Sequence, residues 1–362
     1  MRRTAVASLL LLATGSVFAQ SPPPGPADAP PAGSTTAPAA NPAGSLSIRV
    51  VQGTPGEPPI GAIPVVVELY HRGMVLDTIK TETDEHGVVI LEQISLGMPV
   101  QPLVKVNFGG LDYQIGGGPL DATHPHQDLE VVCFAPTETP PAWKVPMVHM
   151  MVVPEPGGLR VTEIMVVQNP EQRTWIGALG MGPKRVTTLF PLPESAKDVQ
   201  LGRGFHKWCC STLDRGKLVN HLPLMPETTE MMFSYLLPPK DGMATLDITA
   251  PAAVDNLMVV VPASIETGGL EGLNYGGEQS MDNGQKGEMK VRVYNAAGLT
   301  PGQKVSLTFG GLATVAPADP TAPSGSGLAK LVAAVGGGII LLAAAVILLR
   351  RPSGEDAASG SA

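Results

Sequence analysis

The sequence predicts an all-β protein, built from tandem β-sandwich domains and one C-terminal transmembrane helix. Short alternating or β-branched runs recur along the chain, and they are separated by turns rich in its 37 proline and 42 glycine residues. Apart from one apolar stretch near the C-terminus, we find no sustained helical periodicity. Strands of this length, spaced by turns, are typical of a sandwich architecture.

The N-terminus has the three parts of a secretory signal peptide, residues 1–19. Arg2 and Arg3 are positive, Ala5–Ala13 is apolar, and Val17-Phe18-Ala19 is a small-x-small cleavage site. We expect the peptide to direct export of the chain that follows, and its removal to leave a single membrane span. If the peptide stays uncleaved, it is a second membrane anchor, and the ectodomain still lies outside.

The apolar stretch Leu331–Leu349 lies within a predicted transmembrane segment, 328–349, and contains no charged residue. A helix of that length spans roughly 28 Å, close to the hydrocarbon thickness of a bilayer. Arg350 and Arg351 follow it, and positive residues favour the cytoplasmic flank. We therefore predict a single-pass protein of a bacterial cell membrane, with a periplasmic or cell-surface ectodomain and a short cytoplasmic tail, 350–362.

Two linkers bound the folded part of the chain. Residues 20–44 and 316–327 are rich in proline, alanine, serine, threonine and glycine, so they cannot bury a core. We expect a first domain at 45–136 and a second at 143–245. Residues 246–315 are either a third β-region or the completion of the second domain.

Eleven runs have the strand pattern, and turn residues separate them. The predicted strands are Leu46–Val51, Val65–Tyr70, Val88–Leu91, Val104–Phe108, Leu129–Cys133, Val148–Val153, Ile164–Val167, Leu246–Thr249, Leu257–Val261, Lys290–Tyr294 and Lys304–Phe309. Predicted turns lie at Asp84–Gly87, Asp241-Gly242 and Asn283-Gly284.

The first of these turns has a clear physical basis. Thr83 closes a strand, Asp84 caps the turn through its side chain, and Gly87 supplies a positive φ.

Residues 46–135, about a quarter of the chain, resemble the carboxypeptidase-regulatory-like, transthyretin-like β-sandwich family. The matching residues are Gly61 and Pro64 before the second strand, Thr83-Asp84-x-x-Gly87, Ile94-x-x-Gly97, and Tyr113 after Gly109-Gly110. The resemblance implies a transthyretin-like or Ig-like sandwich that acts as a spacer, stabilising or binding module. It brings no catalytic residue with it.

The three cysteines, Cys133, Cys209 and Cys210, are too few for a disulfide scaffold. Adjacent cysteines bridge to each other only with strain, so we expect one of the pair to bond to Cys133 and tie the two domains together. The leftover thiol is then either buried or, with His206, a candidate ligand for a metal or cofactor.

Two further groups contain candidate metal ligands. His124 and His126 lie in one loop, and a third ligand would have to come from Asp121 or Asp128. The alternative to a metal site is a solvent-exposed loop that binds no metal.

On the strand near residue 150, Met147, His149 and Met151 share one face while Met150 points the opposite way. Thioether and imidazole are copper ligands, but methionine also fills β-cores without binding metal, as it does at Met231-Met232.

The composition and the sequence motifs argue against nucleic-acid binding and against several classes of enzyme and cofactor site. With a net charge of −8 and 15% charged residues, the chain has no electrostatic footprint for nucleic acid. We find no haem attachment site, nucleophile elbow, His-Glu-x-x-His motif or phosphate loop in the sequence. We therefore expect a non-enzymatic protein without a cofactor.

The expected partners are the membrane and other envelope proteins. The spacing of Ala333 with Gly337 and of Ala334 with Gly338 permits a homodimer through the membrane helix. The expected function is that of an envelope binding or scaffold module. The alternative is an envelope accessory factor that handles a metal or thiols, beside a cytochrome or copper system.

Overall fold

The structure, a computed structural model, describes residues 43–179, 184–282 and 288–312. These residues form twenty-four β-strands: β1 Ala43–Gln52, β2 Pro64–His71, β3 Met74–Glu82, β4 Val88–Ser95, β5 Gln101–Phe108, β6 Leu111–Gly116, β7 His126–Cys133, β8 Pro136–Thr137, β9 Lys144–Glu155, β10 Gly158–Asn169, β11 Thr174–Trp175, β12 Ala178–Leu179, β13 Arg185–Val186, β14 Thr188–Pro191, β15 Lys197–Leu201, β16 Ser211–Asp214, β17 Lys217–Asn220, β18 Glu227–Leu237, β19 Ala244–Thr249, β20 Ala253–Pro262, β21 Glu266–Glu271, β22 Asn274–Asp282, β23 Glu288–Leu299 and β24 Lys304–Gly310.

All eleven predicted strands are confirmed, since each lies within a strand of the structure. The turn at Asp241-Gly242 is also confirmed, with both residues at positive φ. Asn283-Gly284 lies outside the described residues, as do the predicted signal peptide, the linker at 316–327 and the segment Leu331–Leu349. Among the residues that are described, no helix is long and apolar enough to cross a bilayer.

Strands β1 to β7 form two sheets over one core. The order is β4-β1-β7 in the first sheet and β3-β2-β5-β6 in the second. Alternate residues of β1, namely Leu46, Ile48 and Val50, are buried against Val67 of β2 and Val104 of β5. This packing of two sheets through their inner faces is consistent with a β-sandwich. We call strands β1 to β7 the first sandwich.

The turn between β3 and β4 has the predicted chemistry. Asp84 Oδ1 accepts hydrogen bonds from the amides of His86 at 2.9 Å and Val88 at 2.8 Å. These bonds lower the pKa of the Asp84 carboxyl. Gly87 has φ +76°, and a Cβ there would lie 2.5 Å from the carbonyl oxygen of Val50, so only glycine fits.

A seven-stranded sheet dominates the rest of the described chain. Its order is β15-β18-β10-β9-β20-β23-β22, with β20 parallel to β9 and the other neighbours antiparallel. The four strands that precede residue 245 in the chain and the three that follow it therefore lie side by side in one sheet, and most of their buried residues belong to one core. Of the described strands in this region, β20, β22 and β23 complete the seven-stranded sheet, while β19, β21 and β24 form a separate three-stranded sheet.

The two faces of the sheet differ. Val148, Met150 and Val152 of β9 point into the large core, where two three-stranded sheets, β14-β17-β16 and β19-β24-β21, contribute Phe190, Leu218 and Leu307 among others. We call this the core face. Because side chains alternate along a strand, Met147, His149 and Met151 lie on the opposite face, which we call the methionine face.

Polar contacts join the first sandwich to the segment that follows β10. The Tyr113 hydroxyl donates to the carbonyl oxygen of Phe134 at 2.7 Å and lies 2.9 Å from Thr174 Oγ1. The Thr54 hydroxyl donates to the carbonyl oxygen of Gln172 at 2.8 Å. The short strands β8 and β11 pair in parallel beside these contacts.

Candidate binding site

The densest group of reactive residues lies on the loop 202–210, which connects β15 to β16. The loop is tightly wound, because the carbonyl oxygen of His206 accepts hydrogen bonds from the amides of both Cys210 and Ser211, each at 3.0 Å. The His206 amide in turn donates to Ser211 Oγ at 3.1 Å. These bonds close a ring of backbone that pushes the intervening side chains outward.

Cys209 and Cys210 are bonded to each other, and Cys133 is a free thiol. The predicted bond from the pair to Cys133 is therefore wrong. Cys133 is fully buried in the first sandwich at the end of β7, while Cys209 is exposed on a loop of the larger sheet. Burial raises the pKa of the Cys133 thiol to about 12, so the leftover thiol is a buried, unreactive one.

Phe205 fixes the loop to the core. Its ring is buried and packs edge-on against Phe190, with centroids 5.6 Å apart, and against Phe233 at 5.8 Å. Just before it, Gly204 has φ +78°, and a Cβ there would lie 2.7 Å from the carbonyl oxygen of Glu230. The aromatic anchor and the tight backbone approach hold the loop on the edge of the sheet.

Trp208 projects from this loop with 95% of its surface exposed. Lys207 lies beside it, with the ammonium nitrogen 5.9 Å from the centre of the indole ring. The Lys184 ammonium donates to the carbonyl oxygen of Cys209. A large aromatic side chain is thus presented to solvent on a backbone that is fixed on both sides.

A cleft of about 510 Å³ lies next to the loop, between β15 and β16. Each of these two strands is at an edge of its own sheet. The lining is amphipathic: Val199, Leu201, Leu213 and Leu218 are apolar, and Asp198, Gln200, Lys207 and Ser211 are polar. Leu213 is 58% exposed, so an apolar surface is available in the cleft.

Arg160 holds Asp198, one of the polar residues that line the cleft, in place through hydrogen bonds. The Arg160 guanidinium donates to Asp198 Oδ2 at 2.6 Å and to the Asp198 carbonyl oxygen at 2.9 Å. It also pairs with Glu155 at 2.7 Å. The bond to Arg160 is the largest cause of the lowered pKa of Asp198. Asp198 lies at positive φ in a β-bulge, a feature that redirects an edge strand.

His124 lies in the loop before β7, as predicted, whereas His126 is the first residue of that strand. His124 Nδ1 lies 2.8 Å from Thr123 Oγ1 and 3.5 Å from Asp121 Oδ1, and His126 Nδ1 lies 2.7 Å from Ser45 Oγ. Asp121 caps the loop, and its hydrogen bonds, first among them that from Thr123, lower its pKa to about 2. Within 43–179, 184–282 and 288–312, no three histidine, cysteine, aspartate or glutamate side chains gather where they could hold a metal ion.

His149 and the neighbouring methionines are arranged as the strand pattern predicted. Met150 faces the core, while His149 is 8% exposed on the methionine face. Burial lowers the pKa of its imidazole, which favours the neutral form. The neutral form leaves a ring nitrogen with a lone pair that can bind a metal.

A smaller cavity in the core contains one carboxyl group. It measures about 20 Å³, and its lining includes Glu163, Met150 and Phe190. Such a volume has room for about one water molecule. We therefore place the candidate binding site at the larger cleft.

Comparison with protein-family models and with curated proteins finds no match for this chain.

Sequence reasoning identified the loop but missed the cleft. His206, Cys209 and Cys210 are found together, as their spacing indicated, while Trp208, Asp198 and Leu213 were not singled out. A tryptophan between a lysine and a cysteine pair, in a stretch without alternation, is the one local signal that marks an exposed aromatic residue here.

Proposed function

We propose that this chain is a non-enzymatic envelope binding module, anchored in a bacterial membrane by Leu331–Leu349. Its binding site is the cleft between β15 and β16. The observation on which the proposal rests is Trp208, fully exposed beside an amphipathic cleft on a loop fixed by Phe205 and by the Cys209–Cys210 bond. Tryptophan on a pre-organised backbone is the type of residue that dominates binding energies at protein interfaces.

The partner we propose is an extended segment of another envelope protein. Edge strands leave backbone groups for an added strand, and the side chains of that strand can occupy pockets on alternate sides. The cleft offers two such edges, with leucines for apolar side chains and with Asp198 and Lys207 for charged ones.

Ser211 supports a binding role over a hydrolytic one. Its hydroxyl lines the cleft but donates to Asn220 Oδ1 at 3.3 Å, so the hydroxyl is held by an amide that cannot act as a general base. Measured hydrolytic turnover by the purified chain would overturn this part of the proposal.

We further propose that the first sandwich is a carboxypeptidase-regulatory-like, transthyretin-like module that orients the binding domain. The Thr83–Gly87 turn and the two-sheet core support this assignment, and Tyr113 bonds across the junction.

The experiment that tests the binding role compares envelopes from cells that carry tagged full-length chains. The W208A variant removes the exposed aromatic ring, and M74A is the matched control, since Met74 is 64% exposed on the first sandwich. We expect a partner that co-purifies with wild type and M74A but not with W208A. Equal recovery with all three chains would contradict the proposed site.

A second candidate function, an accessory factor for thiols, is favoured by the bond between Cys209 and Cys210 on an exposed loop. Exposed disulfides are the ones that exchange with other thiols. A variant with both cysteines changed to serine distinguishes the two functions. If the disulfide only shapes the loop, the variant retains partner binding. If the sulfur atoms exchange with the thiols of another protein, the variant loses its function.

A further inference from the structure

Three methionines lie beside His149 on the methionine face of the seven-stranded sheet. Met147 and Met151 lie two residues away on either side of it along β9. Met258 of the parallel strand β20 is its direct neighbour in the sheet register. The same register pairs Met150 with Val259, and both of these residues belong to the core on the other face.

This spacing brings the side chains within reach of one point above the sheet. Alternate residues on one strand face are about 6.6 Å apart, and neighbouring strands are about 4.8 Å apart. Methionine has three rotatable bonds, so its sulfur can move toward a common centre. One imidazole nitrogen and two or three thioether sulfurs can therefore converge on a single ion.

The surroundings select the class of ion. Across the sheet, His149 pairs with Ile164, Met151 with Thr162 and Met147 with Val166. None of these neighbours is a carboxylate, which is the ligand that magnesium and calcium require. Thioether sulfur and imidazole instead favour the soft monovalent ion Cu(I), or its analogue Ag(I).

His149 is largely buried beside methionines that solvent can reach. It is 8% exposed. Met147 and Met258 are only partly buried, so an ion can reach the group from solvent.

We propose that His149, Met147, Met151 and Met258 form a Cu(I)-binding site on the methionine face. The site lies three strands away from the edge strand β15 and does not depend on the cleft. It uses none of the three cysteines.

The test is a titration of the full-length chain in detergent with Cu(I), under anaerobic conditions and against a chromogenic Cu(I) chelator. Both Cys209 and Cys210 are changed to serine in every sample, so that thiolates released by the reductant cannot bind the metal. We expect one Cu(I) per chain. Replacing His149 by leucine should weaken binding by at least about 100-fold, because even the outer partners of a metal ligand are worth about 10- to 100-fold.

M150L is the matched control, because Met150 is adjacent in sequence but lies on the core face. We expect M150L to bind Cu(I) as the parent does and M258L to bind it more weakly. If H149L does not fold, as judged by circular dichroism, M147L and M258L decide the question. The proposal is overturned if the parent binds no Cu(I), or if M258L and M147L bind it as tightly as M150L does.

Discussion

The Tyr235 hydroxyl donates a hydrogen bond of 2.8 Å to Glu163 Oε1 inside the core. Glu163 lies on the core face of β10, where the adjacent core-face positions are Val161 and Met165. Desolvation raises the pKa of the Glu163 carboxyl to about 7, and the tyrosine bond opposes this only in part. The carboxyl is therefore a titratable group at the centre of the sheet.

The Glu163 pair predicts a stability that depends on pH. From pH 4.5, the ordinary pKa of the carboxyl, to its folded pKa of about 7, the folded chain binds more protons than the unfolded chain. The free energy of unfolding should therefore fall as the pH rises through this window, by about 3 kcal/mol at most, and level off above it.

Urea unfolding at pH 5 and pH 8 measures this change, and E163Q should remove it. The exposed Glu92 supplies the control variant E92Q, which should keep the wild-type dependence. An E163Q protein that loses as much stability as wild type between the two pH values would show that Glu163 is not the responsible group.

We predict that the buried ion pairs of Arg160 contribute more to the free energy of unfolding than an exposed ion pair does. Its side chain is 4% exposed and pairs with Glu155 and Asp198, while Arg203, 67% exposed, pairs with Glu230 on the same sheet. We expect R160A to lower the free energy of unfolding by about 2–4 kcal/mol and R203A by less than about 1 kcal/mol. Thermal or urea unfolding compares the two variants, and equal losses would refute the argument.

We predict that the Tyr113 hydroxyl stabilises the junction between the first sandwich and the segment that contains Thr174. Y113F removes the hydroxyl that bonds to Phe134 and Thr174 but keeps the buried ring. We expect a loss of about 1–2 kcal/mol, and faster hydrogen exchange at the amides of Thr174 and Ile176 beside the junction. Y70F is a suitable control, because the Tyr70 hydroxyl bonds to Glu68 within the same sandwich. Unchanged exchange in Y113F would mean that the junction does not depend on this hydroxyl.

The states of the three cysteines determine how many thiols should react in native, denatured and reduced protein. Native protein without reductant should show no reactive thiol, since Cys133 is buried and the other two are bonded. Denaturation without reductant should release one thiol, and denaturation with reductant should release three. Alkylation followed by intact mass measures these counts. A single peptide linking Cys133 to Cys209 or Cys210 in a non-reduced digest would contradict the assignment.

Local patterns predicted the strands and the Thr83–Gly87 turn, because alternation and turn chemistry depend on residues that are close in sequence. The pairing of β9 with β20 could not be predicted, since parallel pairing joins residues about 110 positions apart and leaves no local signal. That pairing places Met258 beside His149. The same limit applies to the cleft, which depends on how the edges of two sheets meet.

Strands without alternation were also missed. Strand β3 is mostly exposed on both sides, so its sequence lacks the period of a half-buried strand. The general expectation of strain between adjacent cysteines disfavours the bond between Cys209 and Cys210 that the structure contains. The burial of Cys133, which removes the alternative, depends on tertiary packing that the sequence does not display.

The binding role of the cleft is tested most directly by site-specific photo-cross-linking in intact envelopes. A photo-reactive phenylalanine analogue is placed at Leu213 in the cleft or, as a control, at Met74 on the first sandwich. We predict one discrete adduct from position 213 that disappears when W208A is added, and no matching adduct from position 74. No adduct from position 213, or one that persists in the W208A chain, would contradict the account.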